Sequence, residues 1–187
     1  TPLYSRKINE FIDIIKKPIS KYIYGYNKDT ISSSLFNLLL NKDISLSIAE
    51  SCTGGLISKM ITDFPGSSKI FSGSMISYSN DFKNKLLKVD KNNIYKYGEV
   101  SEVVSKEMCR NIKKLTNSDS AISATGISGP SGGSEEKKVG LVYITVNYKS
   151  KFKTKEFNLY PNRKIHREVA AYTAMNMLRL LIIKTDN

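Results

Sequence analysis

The sequence predicts an α/β fold, a three-layer α/β/α sandwich on a mixed sheet. Segments with apolar residues at helical spacing alternate along the chain with segments that are apolar at every second position. Two of the latter, 141–148 and 152–159, are separated only by Lys149–Ser150–Lys151, and this spacing predicts an antiparallel hairpin. An antiparallel pair added to alternating strands and helices indicates a mixed sheet.

The first half of the chain contains alternating helices and strands. The predicted elements are a helix at 4–24 interrupted near Pro18, a helix at 30–41, a strand at 44–48, a helix from 56 to about 63, a strand at 71–79 and a helix at 81–87. Pro18 interrupts the first helix because proline lacks the N–H that a helix interior needs. Thr30 or Ser32 is the predicted N-cap of the second helix, and Asn80 that of the last.

The second half contains a helix at 101–115 capped by Ser101, a strand at 121–125, the hairpin and a closing helix at 164–183. Between the strand and the hairpin, Gly126–Gly140 holds five glycines and Pro130, which predicts a long loop. Loops of this length without structure of their own are usually functional or disordered.

Composition excludes several classes of function. The net charge is +12, but 24 of the 29 basic residues are scattered lysines with no run longer than two, so we expect no nucleic-acid partner. A basic field would still attract a phosphorylated small molecule. No apolar run approaches the ~20 residues of a membrane span. Two cysteines and one histidine are too few to suggest a disulfide framework or a metal site. The low cysteine count favours a location in the reducing cytoplasm.

The segment Ala49–Gly55 (AESCTGG) is the strongest candidate for chemistry. It lies between the predicted strand at 44–48 and the helix that starts at Leu56. Glycines allow a tight turn, and a serine hydroxyl beside the free amides of a helix N-terminus could act as an acyl-transfer nucleophile. The alternative is an ordinary N-cap turn with Ser51 or Thr53 as the cap.

Several segments together resemble the C-terminal domain of the bacterial CinA competence/damage-inducible family, which includes stand-alone nicotinamide-mononucleotide deamidases. These segments are 49–55 (AESCTGG), 64–68 (FPGSS), 78–83 (YSNDFK), 97–101 (YGEVS), 125–130 (TGISGP), 132–137 (GGSEEK) and 139–143 (VGLVY), with Arg163 and Arg167 in the closing helix. The resemblance implies hydrolysis of the carboxamide of nicotinamide mononucleotide to nicotinate mononucleotide and ammonia. It implies no cofactor and no metal, and a protein that self-associates.

The resemblance also implies a domain organisation. Residues 1–29 are similar to the linker or N-terminal helical extension that joins the two domains of longer CinA proteins, and 30–187 would form the deamidase domain. The chain begins with Thr1 instead of Met, so we expect it to be a fragment of such a protein. The alternative to an enzyme is a catalytically silent accessory or oligomerisation domain.

By the same resemblance Ser51 is the nucleophile, and Tyr78 and Lys83 complete the catalytic group. A serine hydroxyl needs a base within hydrogen-bond reach. Either Lys83 with a lowered pKa or Tyr78 as a phenolate could serve, and the sequence leaves both open. Cys52 is a weaker alternative nucleophile. His166 lies outside the family's segments, and we expect it to have no catalytic role.

The residues expected to bind substrate lie in or near the same segments. They are Glu50, Thr53, Gly54, Gly55, Asn80, Thr125, Gly126, Gly129, Lys137 and Arg163. The alternatives are that Glu50 is a structural carboxylate held by backbone amides, and that Lys137 and Arg163 are surface charges. Pro161–Asn162–Arg163 stands where the family often has Gly–Asp–Arg, so we expect the loop before the closing helix to differ in position from that of the family.

Overall fold

A computed structural model of the chain describes residues 2–19 and 22–186. The helices are α1 (Pro2–Ile19), α2 (Ile31–Asn41), α3 (Leu56–Thr62), α4 (Asn80–Lys85), α5 (Lys91–Tyr97), α6 (Glu102–Thr116) and α7 (Arg163–Asp186). The strands are β1 (Leu46–Glu50), β2 (Phe71–Ile76), β3 (Ser120–Gly126), β4 (Leu141–Tyr148) and β5 (Lys151–Asn158).

The strands form one mixed sheet in the order β2-β1-β3-β4-β5. β1 is parallel to β2 and to β3, whereas β3, β4 and β5 are successively antiparallel. The predicted mixed sheet and its late hairpin are therefore confirmed. The carboxyl ends of β1, β2 and β3 share one edge, and β4 begins at that edge because Gly126 pairs with Val142.

Helices cover both faces of the sheet, as the three-layer prediction requires. Successive residues of β1 point to opposite faces, so Ile48 joins one core and Ala49 the other. On the first face α2, α3 and α7 pack together, and α7 buries Ala170, Ala174, Leu178 and Ile182 at helical spacing. On the second face α6 buries Val104, Met108 and Ile112.

The amino-terminal helix α1 leaves exposed those of its large apolar side chains that the structure describes. These include Ile8, Phe11, Ile12, Ile14, Ile15 and Ile19. The helix ends one residue after Pro18. Residues 20 and 21 lie outside the described residues, and residues 22–24 are not α-helical, so the predicted continuation to residue 24 is wrong there. In the part of the chain that the structure describes, no helix combines the length and the apolar character needed to cross a membrane.

Several boundaries differ from the predictions. β1 begins at Leu46, two residues later than predicted. The prediction of Asn80 as a helix cap is wrong. Ser79 caps α4 by accepting a hydrogen bond from the Phe82 N–H at 3.2 Å, and Asn80 is the first helical residue.

The sequence pattern does not predict α5. Its segment KNNIYKY has no apolar stripe, and the helix buries none of its residues fully. Its N-terminus is instead fixed by Asp90, whose side chain accepts from the Asn92 N–H at 2.9 Å. A short helix that depends on a cap and not on burial leaves no periodic signal in the sequence.

Candidate active site

Ser51 lies in the turn between β1 and α3, at the edge where the parallel strands end. Its backbone N–H donates to the Ala124 carbonyl at 2.9 Å, which continues the pairing of β1 with β3 past the end of β1. The turn then passes through Gly54 and Gly55 at φ +59° and +93°, a region that favours glycine. The backbone therefore holds Ser51 at the ligand-binding edge of an open α/β sheet.

The Glu50 carboxylate anchors this turn from inside. It is fully buried and accepts hydrogen bonds from the N–H groups of Gly55, Ile57 and Ser58 at 3.0, 3.1 and 2.9 Å and from the Ser58 hydroxyl at 2.6 Å. The first amides of α3 are thus engaged by Glu50 and are not presented to a ligand. This geometry fits the alternative of a structural carboxylate better than the predicted substrate contact.

Lys83 is the group that reaches Ser51. Its Nζ lies 3.2 Å from Ser51 Oγ, 2.9 Å from the Ser77 carbonyl and 3.4 Å from the Tyr78 carbonyl. The side chain is only 1% exposed. Burial lowers the pKa of Lys83, while the nearby Glu99 and Cys52 act in the opposite direction. A lysine in this setting can carry a neutral amine more readily than a solvated one.

Tyr78 contacts Arg163 through its hydroxyl. The hydroxyl accepts from Arg163 Nη2 at 2.9 Å, and the side chain is 58% exposed. Arg163 Nη1 also donates to the Gly129 carbonyl at 3.1 Å. The phenol therefore lies at the rim with a cation, and of the two candidate bases Lys83 is the one hydrogen-bonded to Ser51.

These groups share a polar cavity of about 290 Å³. Its lining comprises Ser51, Cys52, Tyr78, Lys83, Glu99, Val100, Gly126, Ile127, Ser128, Gly129, Ser131, Gly132 and Arg163. A larger cavity of about 410 Å³, with a mainly apolar wall, lies between Leu86–Lys88 and the end of α6. We place the site in the smaller cavity because it brings together a serine, a buried lysine, a carboxylate and an arginine.

Six of the predicted site residues line this cavity: Ser51, Tyr78, Lys83, Gly126, Gly129 and Arg163. Glu50, Thr53, Gly54, Gly55, Asn80, Thr125 and Lys137 lie outside its lining as the structure describes it. The Thr125 hydroxyl donates to the Glu99 carbonyl at 2.8 Å, and Lys137 Nζ donates to the Tyr97 carbonyl at 2.6 Å. These two side chains hold the segment that carries Glu99.

Arg167 supports the serine turn from the closing helix. Its Nε and Nη2 both donate to the Thr53 carbonyl, at 3.2 and 2.8 Å. Thr53 is fully buried, and these two hydrogen bonds tie its backbone to α7. Thr53, Gly54 and Gly55 therefore shape the site through their backbone.

The cavity is also lined by residues that were not predicted from the sequence to bind substrate. Glu99 and Ser128 stand inside the segments 97–101 and 125–130, so their signal was present in the sequence. Cys52 lines the cavity too, but burial raises its pKa to about 12, so its thiol is protonated at neutral pH.

Comparisons with known proteins agree with this architecture. The family model described as the CinA C-terminal domain matches residues 28–182. A CinA-like protein of Prochlorococcus marinus strain MED4 is 45% identical over 98% of this chain and 43% of its own length. One from Thermosipho melanesiensis is 41% identical over 94% of this chain and 44% of its own length. The chain thus spans about two fifths of the length of these curated relatives.

Solved structures show the same fold. The competence/damage-inducible protein of Agrobacterium tumefaciens is 29% identical, with a TM-score of 0.78 over 84% of this chain and 99% of that one. The competence damage-inducible protein A of Klebsiella pneumoniae is 24% identical, with a TM-score of 0.79 over 82% of this chain and 95% of that one.

Proposed function

Because the chain belongs to the CinA family by its match to the C-terminal domain model over residues 28–182, we propose that it is an amidohydrolase. Its substrate would be nicotinamide mononucleotide, hydrolysed at the carboxamide to nicotinate mononucleotide and ammonia, with Ser51 as the nucleophile. The observation that carries this proposal is the buried Lys83 Nζ at 3.2 Å from Ser51 Oγ.

Lys83 would act as the general base in its neutral form. Two of its N–H bonds would be directed at the carbonyls of Ser77 and Tyr78, which leaves the amine lone pair facing Ser51 Oγ. Burial favours this neutral form by lowering the pKa of Lys83. The two carbonyls thus orient the amine, and a histidine base is not required.

The reaction would then proceed in two halves. Ser51 Oγ attacks the carboxamide carbon while Lys83 takes the hydroxyl proton. Lys83 returns this proton to the amide nitrogen, the C–N bond breaks, and ammonia leaves an ester on Ser51. A water molecule, deprotonated by Lys83, attacks the ester and releases the carboxylate, and the proton returns to Ser51 Oγ.

Other lining groups fit the charges of this nucleotide. Arg163 has five N–H donors, of which two are directed at Tyr78 and Gly129, so the remainder could bind phosphate. The Glu99 carboxylate would complement the positive charge of the pyridinium ring. The N–H of Cys52, next to the nucleophile, is the oxyanion donor that we assign, since Glu50 engages the first amides of α3.

The proposal also includes a cytoplasmic location for the protein and its self-association.

The test is to incubate the protein with nicotinamide mononucleotide and to measure ammonia and the acid product. Ser51→Ala should lower kcat by at least about 10³-fold, because the nucleophile is lost, and should leave the Tm unchanged. Ser72→Ala changes an exposed serine on β2 and is the matched control. A wild-type protein that binds the nucleotide but releases no ammonia would favour the accessory-domain alternative.

A further inference from the structure

The cavity wall contains a serine that is paired with the single histidine of the chain. Ser128 follows β3 and is 5% exposed, and its Oγ lies 2.9 Å from Nδ1 of His166. His166 belongs to the first turn of α7, and its side chain is fully buried. The imidazole therefore stands behind Ser128, and the serine lies between it and the cavity.

The hydrogen-bond partners of His166 decide where its proton lies. Nε2 is buried and has no hydrogen-bond partner among residues 2–19 and 22–186. The carbonyls of Gly140 and Leu141 lie close enough to the ring to raise its pKa, but each already accepts from a backbone N–H, that of Leu159 and that of Ile127, respectively. A buried N–H without an acceptor is rarer in proteins than an unpaired acceptor, so this arrangement favours a proton on Nδ1 over one on Nε2.

The surroundings of the ring also keep it neutral. Burial lowers the pKa of His166, and the neighbouring Arg163 acts in the same direction. The positive end of α7 adds to this effect, while the carbonyls of Gly140 and Leu141 oppose it without reversing it. At pH 7 a ring whose pKa lies below 6.5 is mostly neutral and carries a single N–H.

We propose that His166 is a positioning residue whose Nδ1–H donates to Ser128 Oγ and so turns the Ser128 hydroxyl hydrogen into the cavity. A hydroxyl oxygen that accepts from the ring cannot donate to it as well. Ser128 then offers a fixed donor to an oxygen of the bound molecule: a carboxylate, carbonyl, phosphate or ribose oxygen. That the bound molecule is a nucleotide rests on the proposed function. The orientation of the His166 ring does not depend on it.

The orientation is read directly by ¹⁵N NMR of the imidazole ring. Because the chain has one histidine, a protein freed of any affinity tag gives the signals of one ring. At pH 7 we expect a protonated Nδ1 and a bare Nε2, and Ser128→Ala should shift Nδ1. A proton on Nε2 would overturn the proposal.

The ligand contact is read by affinity for nicotinate mononucleotide. Ser128→Ala should weaken binding about threefold to tenfold, the effect of one hydrogen bond. His166→Leu should do the same in the wild-type background and nothing further in the Ser128→Ala background, because His166 acts through Ser128. His166→Asn, which keeps a donor near Nδ1, should restore most of the affinity. Additive losses, or unchanged affinity in Ser128→Ala, would refute the proposal.

Two smaller probes identify the oxygen concerned. Nicotinate carries the carboxylate alone and ribose 5-phosphate the phosphate and hydroxyls, and the one that contacts Ser128 should shift the His166 ring signals. Failures of the two proposals look different. Nucleotide binding without ammonia release refutes the proposed function alone, whereas an Nε2–H ring in a protein that releases ammonia refutes this inference alone.

Discussion

The Arg163 guanidinium donates from Nη2 to the Tyr78 hydroxyl at 2.9 Å, although 85 residues separate the two in sequence. The same guanidinium donates from Nη1 to the Gly129 carbonyl. It therefore links three chain segments at the cavity: the end of the β2–α4 connection, the loop after β3 and the start of α7. The Tyr78 hydroxyl thus contacts Arg163, whereas Lys83 is the residue that is hydrogen-bonded to Ser51 Oγ.

Tyr78→Phe should consequently affect binding more than turnover. The variant loses one hydrogen bond that fixes Arg163, so we expect KM for nicotinamide mononucleotide to rise about threefold to tenfold. The value of kcat should stay within about threefold of wild type. Steady-state kinetics measures both. A fall in kcat of more than about 100-fold with little change in KM would make Tyr78 the base instead of Lys83.

Lys83→Met should have the opposite kinetic signature. It removes the proton acceptor of Ser51, so kcat should fall by about 10²- to 10⁴-fold while KM changes little. In the wild type, kcat should rise with pH through an apparent pKa of the coupled site that lies below 10.5, the ordinary value for lysine. This rise should vanish in the residual activity of the variant. A large rise in KM at unchanged kcat would instead assign Lys83 to substrate binding.

The same substitution should make the protein more stable at pH 7. The folded state binds the Lys83 proton more weakly than the unfolded chain does, because burial lowers the pKa. Between the lowered pKa and 10.5 the unfolded state therefore binds more protons, and the free energy of unfolding rises with pH. Lys83→Met removes this dependence and the cost of burying an ammonium. Thermal unfolding should give a higher Tm for the variant at pH 7 than for the wild type, with a smaller difference at pH 10.

Glu50→Ala tests the structural carboxylate. Three backbone N–H groups and the Ser58 hydroxyl lose their buried acceptor, so the free energy of unfolding should fall by about 3 kcal/mol. Ser58→Ala is the matched control, because it removes a single hydrogen bond and should lower this free energy by about 1 kcal/mol. Urea unfolding measures both. Equal losses would show that the carboxylate contributes no more than one of its partners.

Cys52→Ala should retain activity within about threefold of wild type. Burial raises the pKa of Cys52 to about 12, so at pH 8 very little thiolate is present to attack a carbonyl carbon. For the same reason iodoacetamide should modify the native protein far more slowly than the urea-unfolded chain. An inactive Cys52→Ala variant that keeps its Tm, beside an active Ser51→Ala, would transfer the nucleophile to the thiol.

The layers of the fold could be predicted because burial leaves a period in the sequence. Val104, Met108 and Ile112 recur at helical spacing, and α6 buries all three. The polar α5 has no such stripe and could not be found this way. Boundaries depend on which side chain caps a helix, and Ser79 and Asn80 are both acceptable caps by residue type.

The site was partly predictable for a related reason. A short motif points to individual candidate residues, and Ser51 and Lys83 both lie in such motifs. It does not indicate which polar groups are used up internally, as those of Glu50 and Thr125 are. It also does not reveal a pair such as Ser128 and His166, which are 38 residues apart in the sequence. Their side chains meet because the hairpin of β4 and β5 brings the chain back, so that α7 begins beside the loop that follows β3.

The position of α7 after all five strands affects the order in which a ribosome can complete this fold. When β5 has been synthesised, every residue that lines the cavity exists except Arg163. The apolar side chains of α7, among them Ala170, Ala174 and Leu178, have yet to emerge, so the face that also carries α2 and α3 lacks the part of its cover that α7 provides. A nascent chain halted before α7 therefore exposes Val142, Ile144 and Val146, which makes it a target for chaperones. The candidate site would be complete only after α7, which carries Arg163, has left the exit tunnel.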